Sequence, residues 1–421
     1  MLDLQSLSMP LTFEQKLRNY ARLTVHAGIS ACPGQEVILG ADVTEAPFVR
    51  MLVEEAYNAG TKNVVVHYFD DQVTLIRYAH ASDEALEYSP KWLYEAQAEQ
   101  IRNGAAYLRV FGADPALLKD VDKAKIAIAS KAQAVASMKL SEAVTGDTQG
   151  SFCIVAHSSP GWAKAVFPEL SVEDAVAKLW DAIFSCTYAD TDDPVKSWNA
   201  HCEAIESKRD DLNARNYTAL HITGKNGTDL RVGLADHHRF AGGRLKRGNR
   251  AAFSPNIPTE EVFTMPHKDR VVGIVKSTKP LSVRGVLIDG IEMHFENGKA
   301  VKASAKKGEE VLLALLDTDE GSRRLGEIAL VPNSSRVSQA NMLFLNTLYD
   351  ENAACHIALG KAIGENMKDF DSLSKEEKAA RGSNDSMIHV DWMIGSAETD
   401  VDGITGDGKS EPLMRAGEWV R

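Results

Sequence analysis

The order of hydrophobic patterns along the chain restricts its fold more than any other feature. In the first half, helix-period and β-type stretches alternate: "TFEQKLRNYARLTVHAGI" is amphipathic, "EVILGAD" is a short strand, and "APFVRMLVEEAYNAG" is a helix whose terminal glycine suits a C-cap. "NVVVHYF" follows, then further helix, "AAYLRVFGAD" and "SFCIVAHS". Such alternation builds βαβ units on a mostly parallel sheet flanked by helices. Residues 171–213 read as two helices that close this half. From about residue 216 the texture changes: "TALHITGKNGTDLRVGL" and "IEMHFENGKAVKASA" are β runs carrying Asn-Gly, a strong hairpin signal. "RVVGIVKSTKPLSVRGVLIDG" adds strands, and "KGEEVLLALLDTDEGSRR" is one clear helix among them. A chain of 421 residues is too long for one ordinary core. The expectation is an α/β N-terminal domain over residues 1–215 and an α+β C-terminal domain, rich in antiparallel strands, over residues 216–421.

Composition narrows the function classes. The net charge of -12 comes from acidic and basic residues mixed along the whole length, so no basic surface is set aside for nucleic acid. No G-x-G-x-x-G or P-loop follows any of the strands, and a nucleotide site has no positive support. No apolar run approaches the roughly 20 residues of a membrane span, and the start lacks a basic segment followed by an apolar one, so the expected location is the cytoplasm. Five scattered cysteines without a C-x-x-C pair argue against a disulfide framework and against a thiolate zinc site. Met9 offers an alternative start, which would make residues 1–8 an extension.

The chemistry concentrates in the second half. In "SMIHVDWMIGS", His389 and Asp391 interrupt an apolar strand-like run at i and i+2, where both side chains project from one face about 6.5 to 7 Å apart. A neutral imidazole and a carboxylate so placed can converge on a divalent cation. Further ligand types stand in comparable contexts: Glu260 and Glu261 in "NIPTEEVFTMPHKDR"; Glu327 at the mouth of a buried strand in "RRLGEIALVP", after a helix ending at Gly321; and His356 in "DENAACHIALG", a run of small residues with helical character. Glu261, Glu327, Asp391, His356 and His389 together carry three negative charges. One divalent ion leaves such a pocket negative, whereas two leave a small positive surplus that suits an anionic nucleophile. Paired ions roughly 3.5–4 Å apart, bridged by a carboxylate, are the arrangement that activates water in aminopeptidases. Oxygen and nitrogen ligands suit Zn, Co, Mn or Mg without choosing among them.

These four stretches, with "LLDTDEGSRRLGEIALVP" and "PGWAKAVFP" at residues 160–168, resemble the M29 family of metallo-aminopeptidases, the aminopeptidase T and aminopeptidase S group, in the same order over nearly the whole chain. The resemblance implies a homodimer of two-domain subunits that hydrolyses peptides with a free N-terminus, two metal ions being held by Glu261, Glu327, His356, His389 and Asp391. Glu260 is the candidate proton-transferring carboxylate, although neighbours in an extended chain face opposite ways. One departure stands out: where the family usually has a tyrosine seven residues after the first ligand histidine, this chain has Ile363, which cannot donate a hydrogen bond. A second reading is a related scaffold with a single Fe(II) on His356, His389 and Asp391 that opens dihydroxypyridine rings with O2, a 2-His-1-carboxylate arrangement. Under that reading Glu261 and Glu327 are surplus.

Overall fold

The structure is a computed structural model that describes residues 10–146, 148–283 and 285–420; the alternative start at Met9 lies outside the described residues. The chain forms two compact units, one of residues up to His201 together with Arg244–Ile257, the other of Cys202–Gly243 together with the chain from Pro258 onward. The helix Pro194–Arg215, after which the sequence patterns change, carries the passage from the first to the second.

The first unit is built on a five-stranded parallel sheet in the spatial order Asn63–Phe69, Glu36–Asp42, Ala106–Phe111, Phe152–Ala156, Asn256–Ile257. Helices connect the strands, among them Ala46–Asn58, Lys91–Arg102 and Lys123–Thr145. All five interior residues of Glu36–Asp42 are buried, as a strand covered on both faces requires, while the edge strand Asn63–Phe69 has none fully buried. Tyr20 stacks on Phe48 with ring centroids 5.3 Å apart, and Trp180 on Phe184 at 5.1 Å, closing one face of the sheet.

The second unit is antiparallel. An eight-stranded sheet runs in the order Lys299–Ser304, Glu292–Glu296, Pro266–Lys276, Asp229–Leu234, Ala219–Gly224, Thr399–Ile404, Ser410–Arg415, Glu418–Trp419. Both Asn-Gly pairs close hairpins as expected. Asn297 and Gly298 both take positive φ (48° and 79°), the left-handed pair of a tight turn whose twist matches the flanking strands. A four-stranded sheet, His389–Met393, His356–Gly360, Leu325–Leu330, Val262–Thr264, completes the unit.

Two local expectations are corrected. The run after Cys355 is a strand, not a helix: His356–Gly360 is paired on both sides, by Leu325–Leu330 and by His389–Met393, and is buried along its whole length. A short apolar run satisfies either period, and pairing decides it. The helix expected to reach Gly321 ends at Leu316; Asp319 then caps a separate 3-10 turn, Glu320–Arg323, by accepting the Ser322 N–H at 2.9 Å.

At the carboxyl ends of the parallel strands, Glu45 lies 1 % exposed, 3.9 Å from the His157 ring and accepting the Asp42 N–H. Burial, reinforced by Asp42 and Asp71 and opposed by that backbone hydrogen bond, pushes its carboxyl up to about 7; burial likewise pushes His157 down to about 4. A raised acid favours its neutral form. The stability it contributes is therefore complete below its ordinary value of 4.5 and is lost as pH climbs through about 7. Glu45→Gln, which keeps the acceptor and removes the charge, is expected to gain about 3 kcal/mol over wild type at pH 8 relative to pH 4.5 in urea unfolding. An equal difference at both pH values contradicts this account.

Candidate metal centre

Side chains of one face of the four-stranded sheet meet. Ladder register places Asp391 opposite Ala358 and Ala358 opposite Glu327, while His356 lies opposite Met393 on one side and Ala329 on the other. Directly opposed residues share a face, and so do residues i and i+2, which brings His389 onto the face of Asp391 and sets Glu261 two positions before Phe263. The alanines between these long side chains leave the middle of the face open. Glu327 reaches this face through a bulge: the register shifts between Leu325 and Glu327, leaving Gly326 as the extra residue.

The contacts form a chain. Nε2 of His356 lies 3.1 Å from Oε2 of Glu261 and 3.4 Å from Oε1 of Glu327; Nε2 of His389 lies 3.5 Å from Oε2 of Glu327 and 3.4 Å from Oδ1 of Asp391. Glu327 thus touches each imidazole with a different oxygen. Two groups with metal-ligand spacing result, Glu261–Glu327–His356 and Glu327–His389–Asp391, the candidate atoms of each lying within 4.8 Å of one another. Four of the five residues are buried, and the His389 side chain, 29 % exposed, marks the open side.

The donor set fits metal ions in a further respect. Each imidazole turns Nδ1 away, towards a backbone carbonyl: His389 to Lys361 O at 2.7 Å, His356 to Ala354 O at 3.2 Å. That hydrogen bond fixes the ring and frees Nε2 as a ligand. Oε2 of Glu261 and Oδ1 of Asp391 are buried and make no hydrogen bond among the described residues. Without a cation these groups lean on protons. Burial opposes charge on both rings, yet Asp391 and Glu327 raise His389 to about 11, and Glu261 and Glu327 raise His356 well above the usual imidazole range. Glu327, despite burial, is held low by hydrogen bonds from both imidazoles, whereas burial raises Glu261 against the pull of His356.

Glu260 does not join these groups. Burial pushes its carboxyl up to about 8, and the hydrogen bonds that oppose the rise come from the backbone of Val337 and Arg336. Its own N–H is held by Asn352 at 2.7 Å. Conversely, sequence reasoning passed over Glu351. Its carboxyl is raised well above the usual range by burial and then by the charges of Asp391 and Glu261, His356 opposing, so it belongs to the same electrostatic cluster. The quoted "DENAACH" contained it, but an Asp-Glu pair in a turn has no periodicity that separates a buried carboxylate from a solvated one.

The bulge carries a prediction. A Cβ on Gly326 would lie 2.3 Å from Lys361 O and 2.6 Å from Gly360 O, both backbone. Gly326→Ala is expected to part the two strands and cost about 2–4 kcal/mol in denaturant unfolding. Wild-type stability in that variant would show that the close approach does not hold Glu327 in place.

Comparison with known proteins agrees with the geometry. The family model for thermophilic metalloproteases (M29) matches residues 13–419. The chain is similar to aminopeptidase T of Thermus thermophilus, 47% identical over 97% of this chain and 99% of that protein, and to aminopeptidase 2 of Geobacillus stearothermophilus, 45% identical over 97% and 98%. Among solved structures, wild-type AmpT from Thermus thermophilus superposes with a TM-score of 0.92 at 46% identity, covering 97% of this chain and all of that one. A 2,5-dihydroxypyridine dioxygenase from Pseudomonas putida has a TM-score of 0.52 at 13% identity, covering 98% of each chain, a likeness of fold alone. A family match that spans nearly every residue, together with relatives of this similarity, means that the chain belongs to the M29 family of thermophilic metalloproteases.

Proposed function

We propose that this chain is a metal-dependent aminopeptidase that removes N-terminal residues from peptides, with two divalent ions held by Glu261, Glu327, His356, His389 and Asp391. The observation that carries the reading is the sharing of Glu327 between the two groups, one oxygen towards each imidazole. When bound, such ions polarise a carbonyl and lower the pKa of water. The residues do the rest of the work. Glu327 and the two carboxylates beside it would hold the ions, the Lys361 and Ala354 carbonyls orient the imidazoles, and the sheet beneath backs the site. Glu260, tied to the backbone at Arg336 and Val337, supports the segment that presents Glu261.

The names of the relatives support a peptide substrate with a free amine, and the fold supports the reaction class. A single Fe(II) on His356, His389 and Asp391 is less well supported, because Glu261 and Glu327 both contact His356 and leave no two-histidine, one-carboxylate set standing apart. Family resemblance also supports action as a homodimer in the cytoplasm. No helix among the described residues is long and apolar enough to cross a membrane.

The test is direct. Glu327→Gln is expected to lower kcat/KM on an aminoacyl p-nitroanilide by at least about 100-fold and to reduce bound metal below two ions per chain, with the circular dichroism spectrum unchanged. Full activity and full metal content in that variant would discard the site.

A further inference from the structure

The two imidazoles are oriented at opposite ends of one strand. Ala354 O, which turns His356, lies before His356–Gly360, whereas Lys361 O, which turns His389, lies just past it and outside its ladder. Gly360 bends the chain there with a φ of 100°, and a Cβ on it would meet Ile388 O at 2.1 Å. What fixes Lys361 O in this bend is Asn384, a buried residue a little before His389 in the chain. The peptide unit that carries Lys361 O also carries the Ala362 N–H, which donates to Asn384 O at 3.0 Å. The preceding peptide unit is held by the side chain, since Nδ2 of Asn384 donates to Gly360 O at 2.6 Å. The same nitrogen donates to Gly321 O at 2.9 Å, in the 3-10 turn that leads into the strand of Glu327. Both neighbours of the amide are carbonyl oxygens, so it must present its nitrogen to them.

We propose that Asn384 is a positioning residue of the metal centre: it locks Lys361 O, and through it the His389 ring, against the strand of Glu327, and so sets the affinity of the group Glu327–His389–Asp391 alone. The proposal rests on the two-ion reading above and goes beyond it by naming what makes the two groups differ. His389 is the more exposed of the two imidazoles, with no surrounding side chains to fix its ring as burial fixes that of His356. Its orientation therefore depends on the carbonyl at Nδ1, and that carbonyl depends on Asn384. The first group, Glu261–Glu327–His356, has its carbonyl at the other end of the strand, out of this circuit. The segment itself does not need Asn384 to stay in place. Asp319 grips it separately, accepting the Met387 N–H at 2.6 Å and the Ser386 hydroxyl at 2.8 Å. Loss of the amide thus frees two buried carbonyls and the bend at Lys361 while the surrounding chain remains tied.

The experiment titrates zinc ions into the metal-free full chain in competition with a chromophoric chelator, which reads the number of ions bound and the affinity of each. Wild type is expected to take up two per chain, and Asp391→Asn, a change confined to the second group, identifies the ion held there. Asn384→Leu keeps the branched shape of the side chain without either donor. It is expected to weaken the ion of the second group by at least about tenfold, as loss of a partner behind a ligand does, and to leave the other within about threefold. Asn384→Ser, with one donor on a shorter arm, is expected to weaken the same ion by about threefold or more and serves if the first variant does not fold. Ile357→Val, on the apolar side of the strand, controls for lost stability alone and is expected to leave both affinities within about twofold. Equal weakening of both ions, or unchanged affinities, in Asn384→Leu overturns the assignment, as does either result in Asn384→Ser where the first variant does not fold. Selective weakening in Ile357→Val overturns it too, because any loosening of the strand would then suffice. Failure of the two-ion reading looks different: wild type itself would take up fewer than two ions, or Asp391→Asn would displace none.

Discussion

Three carboxylates on one buried sheet face, with a fourth beside them, repel one another, and the arrangement of the second unit is organised around tolerating that repulsion. At a separation of 4 Å, two like charges cost about 4 kcal/mol even at the effective dielectric typical near a protein surface. The cluster is held together by what lies between the acids: an imidazole between Glu261 and Glu327, another between Glu327 and Asp391. An alternation of acid and base along a line is the form in which such groups can be buried at all. In the proposed reading, divalent ions would take the places of those shared protons.

The strands serve this arrangement by what they omit. Ala358 and Ala329 lie in ladder register beside the acids and the imidazole, where larger residues would fill the space needed above the sheet. The bulge at Gly326 turns Glu327 onto the face that an unbroken ladder would have given to its neighbour, since a shift of one residue exchanges the two faces. Apolar residues take the other side of the same strands: Ile357, Leu359, Ile328, Leu330 and Trp392 belong to the main core of the unit. One set of strands thus spends one face on packing and the other on charge, and the packing of the first holds the second rigid.

How much of this the sequence discloses follows from the range of each interaction. The i, i+2 relation of His389 and Asp391 is local and legible, as are the Asn-Gly turns, and the alternation of helix and strand predicts the parallel sheet of the first unit. Glu261, Glu327 and His356 are legible only as acids and a base in apolar settings; their meeting depends on the register of four strands far apart in the chain. His356 shows the limit well. Its run of small and aliphatic residues fits a helix or a strand, and the choice is made by two neighbours that pair with it, one before and one after. Glu260 and Glu351 show it again from opposite sides. Adjacency to Glu261 marks Glu260 in the sequence, yet its backbone partners at Arg336 and Val337 could not be read there, and Glu351 lies in a turn with no pattern to mark it.

The position of Ile363 acquires a physical meaning in this setting. It caps the 3-10 turn Gly364–Asn366, a few residues beyond the strand that carries His356, and its side chain has no donor to offer a developing oxyanion. Charge stabilisation at the centre has therefore to come from groups that are already there. Under the proposed reading the two imidazoles and the ions they would help to hold supply positive charge there, with the Glu351 carboxyl beside them. A site so balanced depends less on a single hydroxyl and more on the exact count of charges around it. For that reason removing one carboxylate from this cluster perturbs the chemistry more than its distance from the reacting atoms alone would imply.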